Sequence, residues 1–208
     1  MVKIIPLYDS EKILLEQLMR QNRTAQRQLF DTYHKKLLSI CFRYLKNEDD
    51  ALDTLNRSFL KIFEKIHQYK AEAKLEFWLK RITINTCLDT IKSDKNYKHN
   101  FILTHEFSIY GEPNDENNAL DDWWEAALSI PSEILFKQIE NLPPATCTVF
   151  NLYAIDGFTH VQIANQLKIS VGTSKWHLNN ARTLLKEKII HIIQNKKFNN
   201  GTKEAENH

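Results

Sequence analysis

Apolar residues recur at three- and four-residue steps through most of this chain, the signature of amphipathic helices. A short helix is predicted over EKILLEQLMR, after Ser10. From Thr24 to Leu45 the positions Phe30, Tyr33, Leu37, Cys41 and Tyr44 form one buried stripe. A third helix starts near Glu48, with acids in the first turn where the macrodipole favours them. Its stripe is Leu52, Leu55, Phe59, Ile62, Phe63 and Ile66. After the loop QYKAEAKL, a fourth helix is predicted from Phe77 to about Lys92, with Trp78, Ile82 and Leu88 inward. The pattern lapses over residues 96–131, where Asn, Asp, Glu, Gly and Pro dominate as in loops. It resumes over Ser132–Glu140, Pro144–Asp156, Thr159–Leu167 and Val171–Ile193. From Asn195 the tail is polar and expected to fray.

Composition fits this reading. With 4 Gly, 5 Pro and no Val/Thr-rich alternation, the fold class is all-α: two small helical bundles joined by a linker. No window approaches the roughly 20 apolar residues of a membrane span, and the N-terminus lacks a signal peptide's basic start and apolar core. The expectation is a cytoplasmic protein with no membrane insertion. Cys41, Cys87 and Cys147 stand apart among apolar residues and read as buried reduced thiols. The net charge of +2 hides an asymmetry, because residues 104–133 carry eight acids and no Lys or Arg. An acidic strap therefore joins two mildly basic blocks. Trp123 and Trp124 lie inside that strap and are expected to pack on a domain or a partner, in a short helix over DDWWEAAL.

The chemistry-bearing stretch is FTHVQIANQLKISVGTSKWHLNNAR, Phe158 to Arg182. Thr159 and Gln162 have capping-box spacing, Lys168 and Ile169 make a tight turn, and Ser170 caps a second helix. That helix opens with Thr173, Ser174, Lys175, Trp176 and His177. Hydroxyls, a cation and an aromatic at a helix start suit readout of base edges in a major groove. Enzyme motifs are absent: there is no Gly-rich phosphate loop, no Gly-x-Ser-x-Gly and no His-Glu-x-x-His. No CxxC or Cys/His cluster suggests zinc, and His99 and His105 read as surface residues. No catalytic residue, cofactor or metal is expected.

Two segments resemble those of bacterial sigma factors, specifically the compact extracytoplasmic-function group. Asp50 to Lys92, DALDTLNRSFLKIFEKIHQYKAEAKLEFWLKRITINTCLDTIK, is similar to sigma region two. Leu142 to Ile189, LPPATCTVFNLYAIDGFTHVQIANQLKISVGTSKWHLNNARTLLKEKI, is similar to sigma region four. The order and the intervening connector match as well. The resemblance implies a region-two domain over 1–95, an acidic linker over 96–131, a region-four domain over 132–195 and a tail over 196–208.

The resemblance also implies three surfaces. Asp50, Asp53 and Asn56, on a polar stripe opposite Leu52, Leu55 and Phe59, would grip the coiled coil of the polymerase's largest subunit. Asn56 replaces the family's usual Gln; spacing alone favours a solvated acidic helix start, and the resemblance reverses that preference. Tyr69, Lys70, Lys74, Lys80, Arg81, Asn85 and Lys92 would open the minus-ten element: Tyr69 as a stacking face, the cations on phosphates, Asn85 on a base edge. Trp78 matches the family's Ser-Phe-x-x-Trp-Leu stretch and reads mainly as core, while Lys74-Leu75 and Glu76-Phe77 replace the usual Gly/Ser-Phe start. Thr173, Ser174, Lys175, Trp176, His177 and Arg182 would read the minus-thirty-five element. Trp176 is open between a groove-edge contact and an apolar cover, and Asn179 and Asn180 stand where a basic residue is common. With few cations on that helix, modest affinity for DNA alone is expected. The −8 of residues 104–133 suits a channel built for RNA, or else a solubilising tether. Expected partners are core RNA polymerase, promoter DNA and an anti-sigma factor, with a monomer when free. The competing readings are a helix-turn-helix regulator with a sensing or dimerising N-terminal bundle, and a small metal-dependent nuclease built on Asp49, Asp50 and Asp53.

Overall fold

Asn22 starts the longest helix of the N-terminal half by accepting hydrogen bonds from the backbone N–H of Thr24 at 2.9 Å and Ala25 at 3.2 Å. Such a cap satisfies donors that a helix start leaves open. Asn47 does the same for the next helix, accepting from the Asp49 N–H at 2.9 Å. The computed structural model describes residues 11–93 and 130–205. Residues 1–10 and the strap carrying His99, His105, Trp123 and Trp124 lie outside the described residues. The chain divides into two compact units, Met1–Asp94 and Lys95–His208. Among the described residues all regular structure is helical, and no helix is long and apolar enough to cross a membrane.

The first unit holds α1 (Glu11–Met19), α2 (Arg23–Tyr44), α3 (Glu48–Lys65), a 3-10 turn (Ile66–Gln68) and α4 (Leu75–Ser93). Helices α2, α3 and α4 pack mutually, and α1 lies on α2 and the 3-10 turn. Leu29, Leu37, Ile62, Leu75, Leu79 and Leu88 form the fully buried centre. Cys41 of α2 and Cys87 of α4 meet there with their sulfurs 3.8 Å apart, both as thiols.

The packed face of α3 is rotated from the expected stripe. Leu52 is 40% exposed, whereas Ala51, Thr54 and Ser58 are fully buried. The reason lies across the interface. Thr54 Oγ1 and Thr90 Oγ1 of α4 are hydrogen-bonded at 3.1 Å, and Ser58 donates to the Thr54 carbonyl at 2.7 Å. Small hydroxyl residues with internal partners let α3 approach α4 closely, so Leu52 is turned out.

The second unit holds α5 (Ser132–Glu140), α6 (Pro144–Phe150), a π-helical turn (Asn151–Ile155), α7 (His160–Leu167) and α8 (Val171–Ala205). The expected single helix from Pro144 thus changes pitch at Asn151, and Gly157 at φ +73° reverses the chain towards α7. Helix α8 passes the expected end at Ile193, because no Pro interrupts the chain there. It packs on α5, α6 and α7. Cys147 is a buried thiol here.

Candidate nucleic-acid interface

Helices α7 and α8 form the predicted helix-turn-helix. Gln162 N–H donates to Thr159 Oγ1 at 3.3 Å, and Thr159 N–H donates to Gln162 Oε1 at 2.9 Å, a complete capping box. Lys168 ends α7 in the left-handed region at φ +59°. Ser170 Oγ then accepts from the Thr173 N–H at 2.9 Å and opens α8. Because an L side chain is strained at Lys168's φ, Lys168→Gly is expected to raise stability by roughly 0.5–1 kcal/mol. A higher denaturant midpoint at unchanged slope would show it.

Burial sorts the start of α8 into two faces. Leu178, Ala181 and Leu185 anchor the inner one. Thr173, Ser174 and His177, expected in the groove, lie on that same inner face at 1%, 0% and 0% exposure. They are corrected to core roles. Thr173 shares a 2.8 Å hydrogen bond with Ser170 Oγ. Ser174 Oγ lies 2.9 Å from His160 Nδ1, and His160 stacks on Tyr153. His177 Nδ1 lies 3.1 Å from Thr146 Oγ1 of α6, which also accepts from Asn180 Nδ2 at 3.5 Å. The Thr146 hydroxyl thus joins the buried imidazole and the Asn180 amide in one internal hydrogen-bonded group. Burial holds the His177 pKa down at about 4. The outer face carries Lys175, Trp176 and Arg182, joined by Asn179, Thr183 and Lys186, which sequence reasoning did not select. Extending the period of Leu178, Ala181 and Leu185 backwards would have placed 174 and 177 inside and 179 and 186 outside.

On α4 the strand-binding set also divides. Tyr69 is 8% exposed, with its ring 5.6 Å from Trp78 and its hydroxyl donating to the Ala73 carbonyl at 2.6 Å. It is corrected from a stacking face to the brace of the loop that follows it. In that loop Lys70 and Lys74 are exposed, and Ala71 is held at φ +57°. Arg81 and Asn85 are exposed one turn apart, and Lys92 is half-buried. Lys80 is tied to Glu76 Oε1 at 2.8 Å, and Lys36 of α2 reaches the same oxygen at 2.6 Å. The two ammonium groups hold the Glu76 carboxyl down at about 2.

On α3, Asp50, Asp53 and Asn56 are all exposed. Asp53 pairs with Arg57 at 2.8 Å, and Arg57 also donates to Thr54 and Thr90 at 3.2 Å. The same face presents Leu52 and Leu60, the latter 62% exposed. The surface is therefore acidic and amide-bearing with two apolar projections, rather than polar opposite an apolar Leu52. Leu60 was missed because its spacing from Leu52 and Asn56 resembles an ordinary helical step.

Comparison with known proteins supplies the family. Residues 29–97 match Sigma-70 region 2, and residues 132–185 match Sigma-70, region 4. Together the two matches take in more than half of the chain. An ECF RNA polymerase sigma-E factor of Haemophilus influenzae is 25% identical over 181 residues, covering 86% of this chain and 95% of that protein. The ECF RNA polymerase sigma factor SigW of Bacillus subtilis is 26% identical over 179 residues, covering 84% and 94%. Among solved structures, the sigma factor RpoE in complex with the anti-sigma factor NepR from Bartonella quintana is 17% identical with a TM-score of 0.47, covering 80% of this chain and 96% of that one. A region-two unit followed by a region-four helix-turn-helix, with relatives matched along nearly their whole length, places the chain in the extracytoplasmic-function group of the sigma-70 family, the non-enzymatic factors that direct RNA polymerase to promoters and initiate transcription.

Proposed function

We propose that the three surfaces divide the work of initiation among themselves. The α3 face with Asp50, Asp53 and Asn56 binds core polymerase, and Leu52 and Leu60 add apolar contact beside the carboxylates. Lys70 and Lys74 of the loop, with Arg81, Asn85 and Lys92 of α4, hold the separated minus-ten strand. Lys175, Trp176 and Arg182 meet the minus-thirty-five element, with Asn179 and Lys186 on the same face. These roles follow the proposed domain plan: 1–95 for polymerase and minus-ten, 132–195 for minus-thirty-five, 96–131 as an acidic linker and 196–208 as a tail. The single observation that supports this reading most is the outer face of α8: one capped helix carrying cations, amides and a half-buried indole on its solvent side.

The chain works in the cytoplasm, where polymerase and promoters are, and is monomeric when free. An anti-sigma factor covering these surfaces is the regulatory partner that the family implies. The test is run-off transcription from genomic fragments with purified core polymerase, followed by start-site mapping. Start sites that require this chain and share a spaced promoter pair support the assignment. Binding to DNA without binding to core would instead favour a helix-turn-helix regulator.

A further inference from the structure

Arg57 lies one helical turn after Asp53 on the exposed side of α3. An exposed arginine beside an aspartate is ordinary, and such a pair adds little to stability. Arg57 differs in how it is held. Its Nη2 reaches Asp53 Oδ2 at 2.8 Å, Thr54 Oγ1 at 3.2 Å and Thr90 Oγ1 of α4 at 3.2 Å. The two hydroxyls share a hydrogen bond of 3.1 Å, and Thr54 is fully buried. Thr90 Oγ1 also donates to the Thr86 carbonyl at 3.0 Å. The guanidinium is thus seated on the α3–α4 seam rather than swinging from one helix. Asp53 meets it through one oxygen, and the Asp53 side chain is still 66% exposed. A carboxylate in this unit can serve two cations at once: Glu76 Oε1 pairs with Lys36 at 2.6 Å and with Lys80 at 2.8 Å. Arg57 therefore fixes the direction of the Asp53 carboxylate without using it up. A side chain ordered before binding avoids the entropy that an interface otherwise loses in ordering it. Charge alone points the other way, because a cation in an acidic patch opposes a cationic partner. Between exposed groups, however, salt screens that opposition.

We propose that Arg57, seated on Thr54 and Thr90, is a positioning residue that presents the Asp53 carboxylate to core polymerase in a preset orientation. The proposal rests on the reading of the α3 face as the polymerase contact, and adds that α4 shapes this contact through Thr90.

The test is a double-mutant cycle on the association of fluorescently labelled full-length chain with purified core polymerase. Arg57→Ala is expected to weaken association roughly 3- to 10-fold, the scale of ordering one side chain on binding. In the Asp53→Ala background the same change should matter by less than about twofold, because Arg57 acts through that carboxylate. Arg57→Lys, which keeps a cationic donor four residues after Asp53, should recover most of the loss. Thr90→Val, which removes the anchor on α4, should weaken association in the wild type and not in Arg57→Ala. The denaturant midpoint of Arg57→Ala should stay close to that of the wild type. Equal losses in the two Asp53 backgrounds would mark a purely structural role and overturn the proposal. Association of Arg57→Ala within about twofold of wild type overturns it as well. So does tighter association, which would make the guanidinium a competitor for Asp53. If Asp53→Ala alone leaves core association intact, the reading of the whole face fails. If Asp53→Ala weakens it and Arg57→Ala does not, only the positioning role fails.

Discussion

Lowering the pH from 7 to 4 is expected to remove roughly 3 kcal/mol of stability from the C-terminal unit, nearly all of it below pH 6.5. The cause is His177. Its ring has no exposed surface, and burial pushes its pKa from 6.5 down to about 4. In the unfolded chain the imidazole takes a proton near 6.5, but in the folded chain only near 4. Between those values the unfolded state binds more protons, so stability falls as pH falls, by about 1.4 kcal/mol per unit. Above 6.5 the contribution is complete, and below 4 the loss levels off. Chemical denaturation of the full chain at pH 7, 5.5 and 4, beside His177→Gln, measures it. The wild type should lose stability steeply through this window while the variant does so by about 3 kcal/mol less. Equal acid profiles would mean that the imidazole is accessible, and the inner face assigned to α8 would be wrong. An imidazole resonance of His177 that stays in its neutral position down to about pH 4 gives a second reading of the same quantity.

Exchanging charge on one unit at a time should separate the two binding functions. Lys175→Ala with Arg182→Ala is expected to weaken duplex promoter binding about 30-fold, on the scale of roughly 1 kcal/mol for each side chain truncated. The log–log salt slope should fall by nearly 2, as each phosphate neutralised contributes about 0.9. Association with core polymerase should stay as it was. Asp50→Ala with Asp53→Ala should do the reverse, weakening core association roughly tenfold or more and leaving minus-thirty-five binding intact. Folding is a small concern for either pair. Both carboxylates are exposed, and the Asp53–Arg57 ion pair removed with Asp53 is an i,i+4 surface pair worth only about 0.3–0.5 kcal/mol. If both double variants damaged core binding equally, the division of labour between the units would be refuted.

Local chemistry made much of this molecule legible in advance. The capping box of Thr159 and Gln162, the Ser170 cap and the turn at Lys168 depend on residues within a few positions of one another, so their spacing alone specified the helix-turn-helix. The helical order of both units followed from apolar period in the same way, as did the buried thiols. What failed were statements about facing. Leu52 continues a plausible apolar stripe, yet Thr54, Ser58 and Thr90 find one another across the α3–α4 interface and rotate the packed side away from it. Tyr69, Thr173, Ser174 and His177 are polar enough to read as ligand contacts, yet each has an internal partner that makes burial tolerable.

The helical character of the chain, the location of its DNA-binding motif and its family were thus written in the order of residues, because caps, turns and periods are short-range properties of the covalent chain. Packing in three dimensions settled the rest: which side of α3 and α8 is outward, that Lys36 joins Lys80 through Glu76, and that Tyr69 is buried. Those outcomes depend on partners 31 to 40 residues away, as between Thr146 and His177 or Lys36 and Glu76. A polar side chain's choice between solvent and core is set by whether such a partner arrives, and no local pattern encodes that.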